Sequence, residues 1–286
     1  MPELPEVETV RCGIERLIRG KSIDRADVRC FNLRKKIPKN FDFFLRKKII
    51  KALVRRGKYI IFEFKNDHTQ VAVLHLGMSG RVNVLSCGDV ASYVPEKHDH
   101  VFVYMEDGSC LVYNDPRRFG MFYTIDVPDC PGGWGNIPPF DVMGAEPLDV
   151  AWNGSALFGK LKRKSGAIKA ALLDQKVVAG LGNIYVCEAL YQSGVNPLTK
   201  ANNLDAAKCE HISVAVKDVL LKAIDAGGSS LRDYRAVDGS LGYFQHRFHV
   251  YGRAGHPCKT KRCEGTIRRI MQGGRSTFYC PACQTG

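Results

Sequence analysis

The chain has 286 residues, room for two domains of ordinary size each with its own core. Its 42 Lys and Arg against 29 Asp and Glu give a formal charge of +13 and a pI of about 9.3, which points to a polyanion as partner, nucleic acid first and an acidic membrane surface second. The first twenty residues carry Glu3, Glu6, Glu8 and Glu15, and no apolar run approaches the ~20 residues of a membrane span, so neither a secretory segment nor a membrane span is expected.

The opening stretch, Met1-Pro2-Glu3-Leu4-Pro5-Glu6-Val7-Glu8-Thr9-Val10, reads in two ways. Removal of Met1 would leave Pro2 as an N-terminal secondary amine, titrating near pKa ~8 and able to form an iminium with a sugar carbon. Glu3 and Glu6 would be at hand to move protons. The same residues are also an ordinary helix start, with Pro5 at the first helical position and acids in the first turn. Val7, Val10, Ile14, Leu17 and Ile18 then keep a 3.6-residue period.

From residue 23 to 124 the period shifts to two. Strands are expected at 59–64, 70–76, 100–105 and 110–114, with Asp107-Gly108 a hairpin turn, as in an antiparallel sandwich or barrel. Lys58, the stretch His75-Leu76-Gly77-Met78-Ser79-Gly80 and the stretch Asp115-Pro116-Arg117-Arg118-Phe119-Gly120 fall at strand ends or in loops. Met78 and Phe119 either anchor these loops to the core or, with the arginines, fill a gap in a base stack.

Residues 129–147 contain Cys130-Pro131-Gly132-Gly133 and Pro138-Pro139 and read as a linker. A basic run follows (Lys160, Lys162, Arg163, Lys164, Lys169). Gly180-Leu181-Gly182-Asn183 then opens a helix to about residue 192, where the turn is either an anion site or a routine cap with Asn183 as N-cap. A longer helix is expected over 205–226, with Ile212, Val216, Val219, Leu220, Ala223 and Ile224 inward, and a mobile loop over 231–244.

There are eleven cysteines. Seven are scattered (Cys12, Cys30, Cys87, Cys110, Cys130, Cys187, Cys209), which fits buried free thiols in a reducing cytoplasm better than a disulfide framework. The other four have the spacing Cys258-x4-Cys263-x16-Cys280-x2-Cys283, which suits one tetrahedral zinc. From Tyr251 onward seven Lys and Arg face the single acid Glu264. A basic hairpin held by zinc is expected to bind nucleic acid.

Taken in order, the opening stretch, His75–Gly80, Pro95-Glu96-Lys97-His98-Asp99-His100, Asp115–Gly120, Gly182-Asn183-Ile184-Tyr185 and the terminal cysteines closely resemble bacterial formamidopyrimidine-DNA glycosylases, over essentially the whole chain. The resemblance implies an α+β multidomain fold. Its parts would be an N-terminal catalytic antiparallel β-sandwich domain (1–128), a linker (129–147), a helix–two-turn–helix DNA-binding domain (148–247) and a zinc-finger β-hairpin (248–286). It implies a bifunctional base-excision-repair enzyme, a glycosylase and abasic-site lyase, that removes oxidised purines such as 8-oxoguanine and formamidopyrimidines and cuts the strand by β,δ-elimination. Pro2 would attack C1′, Glu3 donate a proton, Lys58 assist β-elimination and Arg275 serve δ-elimination. Met78, Arg117 and Phe119 would fill the space of the everted nucleotide, while Lys58, His75, His98, Lys164, Asn183 and Tyr251 would hold damaged double-stranded DNA. Cys258, Cys263, Cys280 and Cys283 would hold one structural zinc, in a monomeric bacterial cytoplasmic protein with no membrane partner.

Two departures stand out. Four residues separate the first cysteine pair where the family usually has two, and Gly144-Ala145-Glu146 replaces the usual Gly-Pro-Glu. The sister endonuclease VIII branch prefers oxidised pyrimidines and is disfavoured by Leu4 and the Met78, Arg117 and Phe119 set. A DNA-binding module without catalysis is disfavoured because every catalytic position is filled.

Overall fold

The N-terminal helix forms because its ends and its inner face are both provided for. Glu3 is the N-cap of α1 (Leu4–Ile18) and forms a capping box with Glu6, whose Oε2 accepts the Glu3 N–H at 2.8 Å. Proline lacks an N–H, and Pro5 stands in the first turn, where that group has no helical partner anyway. Leu4, Val7, Val10, Ile14 and Ile18 are buried on one face, each contributing about 2 kcal/mol by removal from water.

The computed structural model describes residues 2–129, 132–229 and 242–285. It divides into two units, Met1–Asp141 with Gly227–Tyr243, and Val142–Ala226 with Phe244–Gly286.

In the first unit α1 is followed by β1 (Ile23–Val28), α2 (Phe41–Leu45), β2 (Ile50–Arg56), β3 (Tyr59–Phe64), β4 (Gln70–His75), β5 (Arg81–Leu85), α3 (Cys87–Val90), β6 (Asp99–Met105), β7 (Cys110–Asn114) and β8 (Met121–Asp126). The strands make two antiparallel four-stranded sheets, β1-β6-β7-β5 and β2-β3-β4-β8. Inward residues of both, among them Leu53, Ile60, Phe62, Leu74, Val82, Val101, Leu111 and Phe122, join the buried face of α1 in one core. The period-two pattern therefore locates β3, β4, β6 and β7, and the antiparallel sandwich is the observed arrangement.

Polar contacts fix α1 on β2. Arg55 Nε donates to Glu8 Oε2 at 2.9 Å, Arg11 Nη1 donates to the Leu53 carbonyl at 3.0 Å, and the Leu53 N–H donates to Glu15 Oε1 at 3.2 Å. The expected linker is partly folded. Residues 133–136 form a 3-10 turn, Phe140 is buried against Tyr59 with ring centroids 5.4 Å apart, and Trp134 donates to Glu63 at 3.0 Å. Aromatic side chains outweigh the Gly and Pro signals there. Cys130 and Pro131 of that stretch, and residues 231–241 of the expected loop, lie outside the described residues.

The second unit contains α4 (Gly154–Leu161), α5 (Ile168–Leu173), α6 (Asn183–Gln192), α7 (Ala206–Asp225) and the hairpin of β9 (Arg268–Gln272) and β10 (Arg275–Tyr279). Asp205 caps α7, accepting the Lys208 N–H at 2.7 Å. Gly182, not Asn183, is the N-cap of α6. Among the scattered cysteines, Cys110, Cys187 and Cys209 are buried, but Cys12 and Cys87 are exposed and Cys30 is half-buried. No helix among the described residues is long and apolar enough to cross a membrane.

Candidate functional site

In the first unit the chain turns into α1 with Pro2 buried and Glu3 and Glu6 only 3% and 2% exposed. Glu6 is held from two sides. One carboxylate oxygen accepts the Glu3 N–H, and the other accepts the Ser229 N–H at 2.8 Å and its hydroxyl at 3.0 Å. Glu6, which sequence reasoning offered as a proton carrier, thus also holds the backbone of Glu3, the neighbour of Pro2.

Lys58 is buried in the turn between β2 and β3, and His75 ends β4 directly opposite Tyr59. Burial first, then the positive charges of Lys58 and Arg34, lower His75 to about 4. It is therefore neutral at physiological pH. The Gly77 N–H donates to its Nδ1 at 3.0 Å, so the ring proton sits on Nε2, a donor suited to a phosphate oxygen.

The two loops with Met78 and with Arg117 and Phe119 are joined by Asp115, which is 0% exposed. Its Oδ1 accepts the Ser79 hydroxyl at 2.6 Å. Its Oδ2 accepts the Gly120 N–H at 2.8 Å and the Tyr113 hydroxyl at 3.2 Å. Ser79 Oγ accepts the Arg117 N–H at 3.2 Å, which closes the ring of contacts. Gly77 has φ +63°, and a Cβ there would lie 2.4 Å from the Phe119 carbonyl carbon, so the loops touch backbone to backbone. Out of this base Phe119 projects 44% exposed, with the Arg117 guanidinium 5.1 Å from its ring centroid, and Met78 is half-buried. Phe119 is therefore no core anchor. His98 is half-buried on the loop before β6, and its carbonyl accepts the Asp115 N–H at 3.0 Å.

In the second unit Lys164 pairs with Asp174 at 2.6 Å. Asn183 donates through Nδ2 to the Ser276 carbonyl of β10 at 2.8 Å, while its Oδ1 is buried without a hydrogen-bond partner, an acceptor open to a donor. Arg275, at the start of β10, is exposed. The Tyr251 ring packs edge-on against Phe278 at 5.0 Å, and its N–H, with those of His249 and Val250, donates to the buried Glu188 carboxylate. Lys169, part of the basic run in the sequence, is 1% exposed and donates to Thr277 Oγ1 at 2.8 Å.

The four terminal cysteines converge, with all Sγ atoms within 4.8 Å of one another. The separations Cys258–Cys283 (3.7 Å), Cys263–Cys280 (3.8 Å) and Cys263–Cys283 (3.3 Å) compare with about 3.8 Å for sulfurs at tetrahedral corners of Zn–S bonds of ~2.3 Å. The Thr260 and Gly265 N–H groups each donate to a cysteine sulfur at 3.4 Å. Burial raises the Cys280 and Cys283 thiols, whereas at Cys258 hydrogen bonds from Tyr191 and Thr260 outweigh burial and lower it. The residues fit one structural zinc, and four thiolates leave no open coordination position.

An exposed Phe119 beside Arg117 on a hydrogen-bonded double loop, and a basic hairpin whose four cysteines fit zinc, are features suited to a protein that works on DNA. The comparisons narrow this class. The formamidopyrimidine-DNA glycosylase N-terminal domain matches residues 1–122, the H2TH domain of the same glycosylases matches 143–235, and a zinc finger found in FPG and IleRS matches 255–286. A formamidopyrimidine-DNA glycosylase of Dinoroseobacter shibae is 47% identical over 99% of this chain and 100% of its own, and one of Beijerinckia indica is 46% identical with the same coverage. Among solved structures, a point mutant of the Lactococcus lactis FPG in complex with Fapy-dG-containing DNA has a TM-score of 0.86 at 34% identity, with both chains covered completely. MutM bound to carbocyclic 8-oxo-G DNA has a TM-score of 0.85 at 34% identity, with the same coverage. The chain belongs to the formamidopyrimidine-DNA glycosylase family and is a DNA glycosylase acting on damaged DNA.

The resemblance in the motifs is thus borne out, and so is the zinc. The residues that sequence reasoning missed are those that hold the named ones: Asp115, Ser79, Glu188, Lys169 and Tyr191. Asp115 and Ser79 stood in two of the loop stretches and Lys169 in the basic run, whereas Glu188 and Tyr191 carried no signal.

Proposed function

We propose that the chain excises oxidised purines, 8-oxoguanine and formamidopyrimidines among them, from duplex DNA and then cuts the strand as an abasic-site lyase. The reading is carried by Pro2, buried at the head of α1 beside a Glu3 whose backbone Glu6 pins. With Met1 removed, the Pro2 nitrogen is a secondary amine that attacks C1′ as the bond to the base breaks. The base leaves with the electron pair of its bond to C1′ and takes up a proton, and the Pro2 nitrogen gives up its own. Glu3 then protonates O4′ as the C1′–O4′ bond breaks, so the sugar ring opens and C1′ ends as an iminium. That cation acidifies the C2′ proton. Its loss expels the 3′ phosphate, and a second elimination, assigned to Arg275, expels the 5′ phosphate. Lys58, whose charge already acts on neutral His75, assists the first elimination.

A base in a duplex hides its glycosidic bond, so the nucleotide must be everted and the hole filled. Met78, Arg117 and Phe119 are the assigned fillers. His75, His98, Lys164, Asn183 and Tyr251 are the assigned DNA contacts, His75 through its Nε2 proton. The relatives solved with Fapy-dG and 8-oxo-G DNA support purine lesions as the substrate class. The same reading has the protein act as a monomer.

Single-turnover cleavage of duplexes carrying 8-oxoguanine opposite cytosine, run beside duplexes carrying thymine glycol, tests the substrate. The purine lesion is expected to be cut faster, and the opposite order would move the chain to the pyrimidine-preferring branch.

A further inference from the structure

Helix α6 presents Asn183, Cys187 and Tyr191 at i, i+4 and i+8, a single face. Asn183 holds β10 through the Ser276 carbonyl. Cys187 and Tyr191 are buried in a cluster with Val250, Cys258, Ile267 and Cys280. At the far end of that face the Tyr191 hydroxyl lies 3.2 Å from Cys258 Sγ and 2.5 Å from Thr260 Oγ1. The phenol has one proton to give. Donated to the sulfur, it leaves the oxygen to accept the Thr260 hydroxyl proton, while the Thr260 N–H donates to the same sulfur at 3.4 Å.

Thr260 belongs to the four-residue turn Lys259-Thr260-Lys261-Arg262, two residues longer than usual in the family. A longer turn has more conformations to lose when both cysteines must converge on one metal. Arg262 already takes the left-handed region, at φ +63°. Two contacts restrain the turn: Lys259 Nζ donates to the Phe248 carbonyl at 2.6 Å, and Thr260 meets Tyr191.

We propose that Tyr191 is a positioning residue for the zinc finger, its hydroxyl fixing the enlarged first knuckle so that Cys258 faces the metal and the finger stays joined to the helix that begins with Asn183. The argument rests on the zinc site and is independent of the chemistry assigned to Pro2. Groups that hydrogen-bond to metal ligands raise metal affinity by about 10–100-fold, and the Tyr191 hydroxyl meets both Cys258 and the turn that carries it.

The test is zinc release from the full-length, zinc-loaded protein to a pyridylazo-resorcinol chelator. Tyr191→Phe keeps the ring, which stacks on His249 with centroids 5.3 Å apart, and removes only the oxygen. Its zinc should leave at least about tenfold faster. Thr260→Val should act in the same direction, and the double variant should add little to either single one. Saturating zinc should restore duplex binding to Tyr191→Phe by mass action. Unchanged release in both single variants would overturn the proposal. So would fast release whose binding defect persists in excess zinc, because Tyr191 would then support the helical core and not the knuckle.

Discussion

Asp115→Asn removes the charge at the junction of the loop with Met78 and the loop with Arg117 and Phe119, the proposed fillers, while keeping the side chain's shape. The carboxylate accepts three donors: the Ser79 hydroxyl, the Gly120 N–H and the Tyr113 hydroxyl. An amide has one acceptor oxygen. If it faces Gly120 and Tyr113, its NH2 meets Ser79 Oγ, which already accepts the Arg117 N–H. Hydrogen bonds to a charged group contribute about 1.5–3 kcal/mol each, so making three of them neutral and reversing one should cost the joined loops about 3 kcal/mol. At 1.4 kcal/mol per factor of ten, the equilibrium between joined and separated loops shifts on the order of 100-fold towards separation. Two assays separate this from general damage: single-turnover excision from a lesion duplex, and borohydride trapping on an abasic site in single-stranded DNA, where no opposite strand needs a filler. Duplex excision should fall by one to two orders of magnitude while single-strand trapping changes by less than about threefold. An equal fall in both, or no fall in duplex excision, would refute the idea that Asp115 acts through the wedges.

His75 should shape the acid limb of stability. Its pKa of about 4 lies below the ordinary ~6.5, so between those values the unfolded chain binds a proton that the folded chain does not, and stability falls as pH drops through that window. Up to about 3 kcal/mol is involved, and His75→Gln should flatten that part of a denaturation-against-pH profile. Gly77→Ala forces a Cβ to within 2.4 Å of the Phe119 carbonyl carbon at φ +63°, so melting temperature and duplex excision should both fall. In the first knuckle Lys259, Lys261 and Arg262 are all exposed, and Lys259 donates to the Phe248 carbonyl, so Lys261 and Arg262 are the pair to replace. Replacing both with Gln should reduce the salt slope of DNA binding by up to about two phosphate contacts and leave zinc content unchanged. Cys263→Ser, by contrast, should lower zinc content and DNA binding together, read by metal analysis and a duplex titration.

The parts of the fold governed by local periodicity were legible in the sequence. The alternation over residues 59–64 and 110–114 located β3 and β7, and the stripe from Ile212 to Ala223 located α7. The cysteine spacing announced the zinc because metal ligation imposes a narrow geometry on few residues. What stayed hidden depends on long-range pairing. Lys169 reads as a surface cation until Thr277, more than a hundred positions on, is seen beside it. Glu6 reads as an acid near a nucleophile until Ser229 closes on it. The stretch with Trp134 and Phe140 reads as a linker because its Gly and Pro residues are local signals, whereas its packing on Tyr59 is not.

The central claim is that the Pro2 amine forms the covalent bond to DNA. Borohydride reduction during turnover of an 8-oxoguanine duplex, followed by proteolysis and mass analysis of the cross-linked peptide, tests it directly. The account predicts an adduct on the N-terminal peptide with the added mass on Pro2, and none from a homogeneous preparation retaining Met1. An adduct mapped to Lys58, or undiminished adduct formation with Met1 in place, would contradict it.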